Sequence, residues 1–207
     1  MKKVLLVFLF LLLASFSYNL LSKETIVTKA KVTASSESKE KRIKQHIAGI
    51  KDFLKKKPEY NSEIAFLVDM KIMSGKNRFF IYDLNKNEVV DQGLVAHGCG
   101  SETGKENQLK FSNTNNSLAT SLGKYSIGES YQGQFGKAYK LYGLDTSNSN
   151  AFLRNIVLHK YTKMPYEEQE SPVCNSYGCP MVNETYFKRI EKILDNSKKK
   201  ILLEIYY

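Results

Sequence analysis

The sequence predicts a mostly β domain of the α+β class, with one or two peripheral helices. Short apolar segments rich in β-branched and aromatic residues recur through residues 60–207, and turn-forming Asn, Gly and Ser separate them. Apolar residues fall at helical spacing in only two segments, so we expect few helices. No internal repeat is visible, which argues against solenoid and propeller architectures.

The first residues have the pattern of a signal peptide. A basic start at residues 1–3 precedes an unbroken apolar run from Val4 to Leu13, and small residues allow cleavage after Ser17. This run is shorter than the ~20 apolar residues that span a bilayer, although an uncleaved anchor is the alternative. We expect residues 1–17 to be removed, leaving an exported protein, periplasmic or associated with the cell envelope, without stable membrane insertion. Residues 18–37, rich in Ser, Thr and Lys without periodicity, are expected to form a flexible tether.

The folded domain is expected to cover residues 38–207 and to begin with a helix over 38–57. Ile43, Ile47, Ile50 and Leu54 recur at helical spacing, and Pro58 ends the pattern. Later segments are expected to be extended, apart from one amphipathic helix over Glu184–Leu194. The extended segments are Ile64–Met70, Phe79–Leu84, Val89–His97, Gly123–Gly128, Tyr139–Leu144, Ala151–His159 and Ile201–Tyr207.

Charge and composition narrow the possible partners. The chain has 31 basic and 21 acidic residues, for a formal net charge of +10. Because the lysines are spread out and an exported chain rarely meets nucleic acid, we expect no nucleic-acid partner. The three histidines and three cysteines show no C-x-x-C or H-x-x-x-H spacing, so we expect no metal site.

One segment, Cys174–Pro180, carries the pattern of a reactive site. Cys179 follows Gly178, which lets a substrate approach the backbone closely and leaves N–H groups free to face an oxyanion. His159 ends an apolar segment 20 residues upstream, and a loop of that length can return the chain to it. A Cys–His pair is the minimum for acyl transfer, whereas a buried structural Cys and an edge-strand His are the alternative.

Several motifs in chain order resemble the YkuD-type L,D-transpeptidases, and specifically their murein L,D-transpeptidase catalytic domain subgroup. His159 and Ser176-Tyr177-Gly178-Cys179-Pro180 match that family's His followed by S-x-G-C. The other matches are Val95-Ala96-His97-Gly98, Ser121-Leu122-Gly123-Lys124-Tyr125, Gly128-Glu129-Ser130-Tyr131-Gln132-Gly133 and Leu141-Tyr142-Gly143-Leu144.

The resemblance implies a β-sandwich or barrel and a cysteine acyltransferase that needs no cofactor. Cys179 would attack a peptidoglycan tetrapeptide stem, His159 would protonate the departing D-Ala, and a neighbouring stem would accept the acyl group as a 3→3 crosslink. Water as acceptor would make an L,D-carboxypeptidase, and a non-catalytic peptidoglycan-binding protein is a further alternative. The residues expected to bind substrate are His97, Tyr131, Ser176, Tyr177 and Gly178.

The chain departs from the subgroup pattern at three places. Lys160 replaces a Gly after the histidine, Cys174-Asn175 replaces Gly-Arg, and Cys99 follows the His97-Gly98 pair. Because unpaired thiols are unfavourable in an exported protein, we expect a Cys99–Cys174 disulfide; a Cys174–Cys179 bond or free thiols are the alternatives.

The order of the two reactive residues in the chain helps to distinguish this protein from other families of cysteine enzymes. NlpC/P60 hydrolases have the cysteine first, whereas here His159 precedes Cys179. Sortases share the order but use a downstream arginine, and the only one after Cys179 is Arg189, which lies in the predicted amphipathic helix.

Overall fold

The computed structural model describes residues 38–105 and 108–207. The expected signal peptide (1–17) and tether (18–37) lie outside the described residues. All strands and the C-terminal helix belong to one compact unit, His46–Tyr207. Within the described ranges, no helix combines the length and apolar character needed to cross a membrane.

The secondary structure contains two α-helices and nine strands in the described residues. Helix α1 covers 38–55 and ends before Pro58, which disfavours helical geometry in the residue preceding it. Helix α2 covers Glu184–Asn196, and a short 3-10 helix covers Cys99–Ser101. The strands are β1 (Tyr60–Asp69), β2 (Phe79–Asp83), β3 (Glu88–Gly93), β4 (Val95–Ala96), β5 (Gly123–Gly133), β6 (Gly136–Gly143), β7 (Val157–Lys160), β8 (Met181–Val182) and β9 (Lys200–Tyr206).

All nine strands pair in one mixed sheet, which confirms the predicted mostly β class. Their order is β3-β2-β1-β9-β5-β6-β7-β8-β4. The two edge strands, β3 and β4, are consecutive in the chain and separated only by Leu94. The sheet must therefore curl until its edges approach each other, as in a barrel.

The hydrophobic core lies against the face of the sheet that α2 covers. Asn183 caps this helix by accepting a hydrogen bond from the Thr185 N–H at 2.7 Å. The helix buries Tyr186, Phe187 and Ile190 completely, and each such side chain contributes roughly 1.5–3 kcal/mol. Tyr186 packs edge-on against Phe79 of β2, with ring centroids 5.6 Å apart.

Two expected strands are interrupted in the structure, the strand expected over Gly123–Gly128 continues to Gly133, and β8 has no counterpart among the expected segments. The segment expected to extend over Val89–His97 breaks at Leu94, between β3 and β4. The segment over Ala151–His159 is extended only from Val157, because Asn155 adopts a positive φ of 54° and the Ile156 N–H turns back to the Ala151 carbonyl at 2.9 Å. Strand β8 has only two residues, too few to give a sequence pattern.

Candidate active site

The loop that carries Cys179 is held in shape by Ser176. The Ser176 hydroxyl accepts a hydrogen bond from the Gly178 N–H at 3.1 Å and donates one to the Cys179 carbonyl at 2.7 Å. Gly178 has a φ of +113°, and a Cβ there would lie 2.9 Å from the Ala119 carbonyl oxygen. The loop therefore requires glycine immediately before Cys179.

Strand β7 brings His159 next to the Cys179 loop. β7 pairs in parallel with β8, and the His159 N–H donates to the carbonyl of Pro180 at 3.3 Å. The Cys179 Sγ lies 3.4 Å from the backbone nitrogen of Val157. The two residues are therefore carried by neighbouring backbone segments, and the thiol itself donates to the Asn155 carbonyl oxygen at 3.7 Å.

The ring of His159 is fixed in one tautomer. Its Nδ1 lies 2.9 Å from the Lys160 carbonyl oxygen, which can only accept, so Nδ1 carries the proton and Nε2 keeps a free lone pair. Phe135, from the turn between β5 and β6, stacks on the ring at 5.2 Å between centroids. Burial lowers the pKa of His159, although the hydrogen bond to Lys160 opposes this, so the ring is neutral at pH 7.

The thiol of Cys179 is also neutral at rest. Burial raises its pKa, and the Val157 N–H and the charge of Arg154 lower it less. Arg154 is itself anchored, because its guanidinium donates to the carbonyls of Ser112 and Ala119. The thiol and the imidazole are therefore both uncharged at pH 7.

Tyr131 and Tyr177 occupy exposed positions around this pair. Tyr131 pairs with Ala138, which pairs with His159 across β5, β6 and β7, so all three side chains stand in one row on one face. The Lys140 ammonium lies 5.5 Å from the Tyr131 ring centroid. Tyr177 is 76% exposed, beside Gly178 on the nucleophile loop. Both tyrosines are therefore exposed to solvent, and their role in substrate binding stays a prediction.

His97 is expected to share a groove with Cys179, and in the structure its ring contacts Arg78. Its Nδ1 is 2.9 Å from the Arg78 guanidinium, and the ring lines a cavity whose lining residues do not include Cys179 or His159. Its backbone does meet the nucleophile loop, since the His97 carbonyl accepts from the Ser176 N–H at 2.8 Å. A role of His97 in substrate binding stays a prediction.

The expected Cys99–Cys174 disulfide is wrong, and the Cys174–Cys179 alternative is absent too. All three cysteines are free thiols. The Cys174 sulfur lies 3.9 Å from the sulfur of Met164 rather than bonded to another cysteine.

Arg154 and Phe135 are site residues that were not predicted from the sequence. Arg154 is the lone charge in the apolar segment Ala151–His159, and an isolated charge of that kind signals a buried contact. Phe135 sits between Gly133 and Gly136, where a large aromatic residue at a turn is unusual. In residues 38–105 and 108–207, no three His, Cys, Asp or Glu side chains come together as a metal site.

The fold and the site together define a class: a mostly β domain in which the loop of Cys179 meets the strand of His159, where two strands run parallel. The model of the L,D-transpeptidase catalytic domain family matches residues 34–206. The chain belongs to this family, which acts on cell-wall peptidoglycan. No curated protein matches the chain.

Solved structures of low sequence identity resemble the chain in fold. The L,D-transpeptidase of Xylanimonas cellulosilytica is 15% identical, with 70% of this chain and 61% of that chain covered and a TM-score of 0.38. The L,D-transpeptidase of Mycobacterium smegmatis is 9% identical, with 70% of this chain and 59% of that chain covered and a TM-score of 0.41. The helical cell shape determining protein of Campylobacter jejuni is 12% identical, with 69% of this chain and 46% of that chain covered and a TM-score of 0.45. The chain thus spans between 46% and 61% of the length of these structures.

Proposed function

We propose that the protein is a cysteine L,D-transpeptidase that forms 3→3 crosslinks between peptidoglycan tetrapeptide stems. The observation that carries this proposal is the contact of the Cys179 thiol with Val157 of β7, two residues along the strand from His159, whose Nε2 is free to accept a proton. Family membership supports peptidoglycan as the substrate. An exported location, periplasmic or at the cell envelope, and the signal peptide over residues 1–17 belong to the same proposal.

In the first half-reaction the thiol becomes an acyl carrier. The Cys179 proton passes to Nε2 of His159 as Sγ attacks the carbonyl between the diamino acid and the terminal D-Ala. The C–N bond then breaks, and the His159 proton moves to the departing amine, so that free D-Ala leaves and a thioester remains. Since both groups are neutral before attack, proton transfer and attack are coupled.

The second half-reaction regenerates the thiol. A side-chain amine of a neighbouring stem attacks the thioester and gives up its proton through His159, and the thiolate leaves and is protonated. Water in place of the amine would yield a tripeptide stem, the L,D-carboxypeptidase outcome. The exposed Tyr131 side chain, on the face of the sheet that carries His159, gives a neighbouring stem a surface to approach, which favours the transpeptidase assignment.

Backbone N–H groups of the nucleophile loop would stabilise the oxyanion. The Gly178 N–H already donates to the Ser176 hydroxyl, so we assign the oxyanion to the N–H groups of Tyr177 and Cys179. Losing one such donor costs about 3–4 kcal/mol in other enzymes. Ser176 and Gly178 thus act by shaping the loop rather than by touching the substrate.

The substrate is expected to lie across the exposed face beside the catalytic pair. Lys140, which stands above the rings of both Tyr131 and Phe152 at 5.5 and 5.1 Å, supplies a cation for a stem carboxylate. It could take over from the arginine that Asn175 replaces, because Asn175 is turned away to donate to Glu102 at 2.8 Å. No cofactor and no nucleic acid enter this mechanism.

Incubation with a disaccharide-tetrapeptide, followed by mass analysis, tests the proposal. We expect loss of D-Ala together with a crosslinked dimer, and neither product with Cys179→Ala. Cys174→Ala is the matched control and should retain both products. Loss of D-Ala without dimer would assign the carboxypeptidase activity, and binding without any D-Ala loss would assign a non-catalytic peptidoglycan-binding protein.

A further inference from the structure

We propose that the cavity beside His97 is a second binding site, one that takes the carboxylate of a small amphipathic ligand such as a peptide C-terminus. The cavity has a volume of about 450 Å³, within the range of small-ligand sites. Neither Cys179 nor His159 lines it, so it is separate from the acyl-transfer site. This inference does not depend on the proposed function.

A buried Arg–His pair forms part of the cavity wall. Arg78 is 1% exposed and His97 4% exposed. The Arg78 guanidinium donates through Nε and Nη2 to the Val95 carbonyl, at 2.9 and 2.8 Å. Its Nη2 also lies 2.9 Å from Nδ1 of His97. The neighbouring backbone therefore fixes the guanidinium firmly against the imidazole.

This contact decides where the imidazole proton lies. A guanidinium has only donors, so Nδ1 of His97 must accept, and the proton of the neutral ring sits on Nε2. Burial, followed by the charge of Arg78, lowers the pKa of His97 to about 4, which keeps the ring neutral at pH 7. The cavity thus meets a fixed N–H donor beside a guanidinium.

That N–H donor is incompletely satisfied. The Nε2 atom is buried and makes no hydrogen bond of normal geometry among the described residues. The Glu102 carboxylate lies 3.5 Å away, at ion-pair distance, and opposes the lowering of the His97 pKa, but its Oε1 accepts the closer hydrogen bond from Asn175 at 2.8 Å. A buried donor without an acceptor is unfavourable, and a ligand oxygen in the cavity would satisfy it.

Charge and apolar surface specify the ligand further. Among the described residues, Lys71, Lys105 and Arg78 line the cavity, against Glu102 and Glu170. The buried carboxylate of Asp69 opposes the charge of Arg78, and Glu170 is paired with Lys76 at 2.7 Å. Lys71 and Lys105 then exceed the remaining acid, Glu102, so the balance over the described residues is positive. The rest of the wall is largely aliphatic, formed by Met70, Ile72, Met73, Leu109 and Pro172. A carboxylate attached to a small aliphatic group fits this combination.

A ligand bound in the cavity would affect the position of the nucleophile loop. The backbone of Ser176 bonds to both sides of the His97 segment, donating to the His97 carbonyl and accepting from the Cys99 N–H, each at 2.8 Å. A ligand that holds His97 in place therefore also holds the strand segment against which Ser176 is aligned.

Nitrogen-15 spectra of the histidine rings test this site in the Cys179→Ala variant, which cannot turn over. N-acetyl-D-alanine is titrated against N-acetyl-D-alaninamide, which has the same shape without the charge. We expect the carboxylate to move the Nε2 resonance of His97 and to bind at least tenfold more tightly than the amide. Equal affinity of the two probes, an unmoved His97 resonance, or movement of His159 alone would overturn the proposal.

Substitutions then locate the site. His97→Leu should weaken binding of N-acetyl-D-alanine at least tenfold, whereas His159→Gln should leave it unchanged. If His97→Leu does not fold, Lys105→Met gives the same test, and we expect it to weaken binding about threefold. The control is Lys110→Met, which removes an exposed lysine outside the cavity. Unchanged binding in Lys105→Met, or equal loss in both lysine variants, would contradict the proposal. Because turnover is already absent, failure of the proposed function would not affect these results.

Discussion

Replacing Gly178 with alanine probes how the nucleophile loop is built. Gly178 has a φ of +113°, and the added Cβ would lie 2.9 Å from the Ala119 carbonyl oxygen and 3.2 Å from the Ile156 side chain. Neither backbone strain nor the close contact can be relieved without moving the loop. Because Cys179 is the next residue, relief of the contact displaces the nucleophile.

Substitution of a second glycine separates the effect of backbone strain from the effect of the close contact. Gly104 also has a positive φ, +74°, but a Cβ added there would have no neighbouring atom within 4 Å. Gly104→Ala should therefore cost only left-handed strain, about 1–2 kcal/mol of unfolding free energy. Gly178→Ala should cost a backbone strain of about 1–3 kcal/mol and, in addition, the close contact with Ala119. A displacement of the thiol by ~1 Å should lower turnover by about 10²-fold.

Urea unfolding and D-Ala release measure these two effects in parallel. We expect Gly178→Ala to fold, to be less stable than Gly104→Ala, and to lose at least ten times more turnover. If Gly178→Ala released D-Ala at the rate of the unsubstituted protein and matched Gly104→Ala in stability, the close packing of the loop would not position the nucleophile.

Three further predictions concern the charges around the thiol. His159→Gln should reduce D-Ala release nearly as much as Cys179→Ala, and the double variant should be no worse, because the pair acts as one unit; additive losses would refute this. Since burial raises the pKa of Cys179, alkylation by iodoacetamide should accelerate about tenfold per pH unit from pH 6 to 8, and a plateau below pH 7 would reveal a preformed ion pair. Arg154→Met should shift this profile to higher pH, whereas Arg154→Lys should retain it more closely; an unchanged profile in Arg154→Met would exclude an electrostatic role.

The strands that local patterns encode could be predicted from the sequence, whereas those that tertiary pairing creates could not. β2 is a continuous apolar run, and its start at Phe79 agrees with the prediction to the residue. β8 is only Met181–Val182 and exists because β7 and β4 flank it, so no local signal could reveal it. Asn155, with its φ of 54°, turns the apolar segment that begins at Ala151 into a loop followed by a strand.

The residues of the site were predictable to different degrees for a similar reason. Cys179 and His159 stand in a motif with fixed spacing, and the pairing of β7 with β8 brings them together. Arg154 reaches them through contacts with residues 112–121, whose position depends on the whole fold. The Cys99–Cys174 pairing rested on redox context and on departures from a family pattern, whereas in the structure both thiols are free and the Cys174 sulfur lies 3.9 Å from that of Met164.

Mass spectrometry of the intact protein during turnover asks whether Cys179 carries the acyl group. With a tetrapeptide-stem substrate and no added acceptor, we expect an adduct equal to the substrate minus D-Ala, located on Cys179 and absent from Cys179→Ala. Release of D-Ala with no adduct on Cys179, or with the adduct on Cys99 or Cys174, would contradict the proposed mechanism.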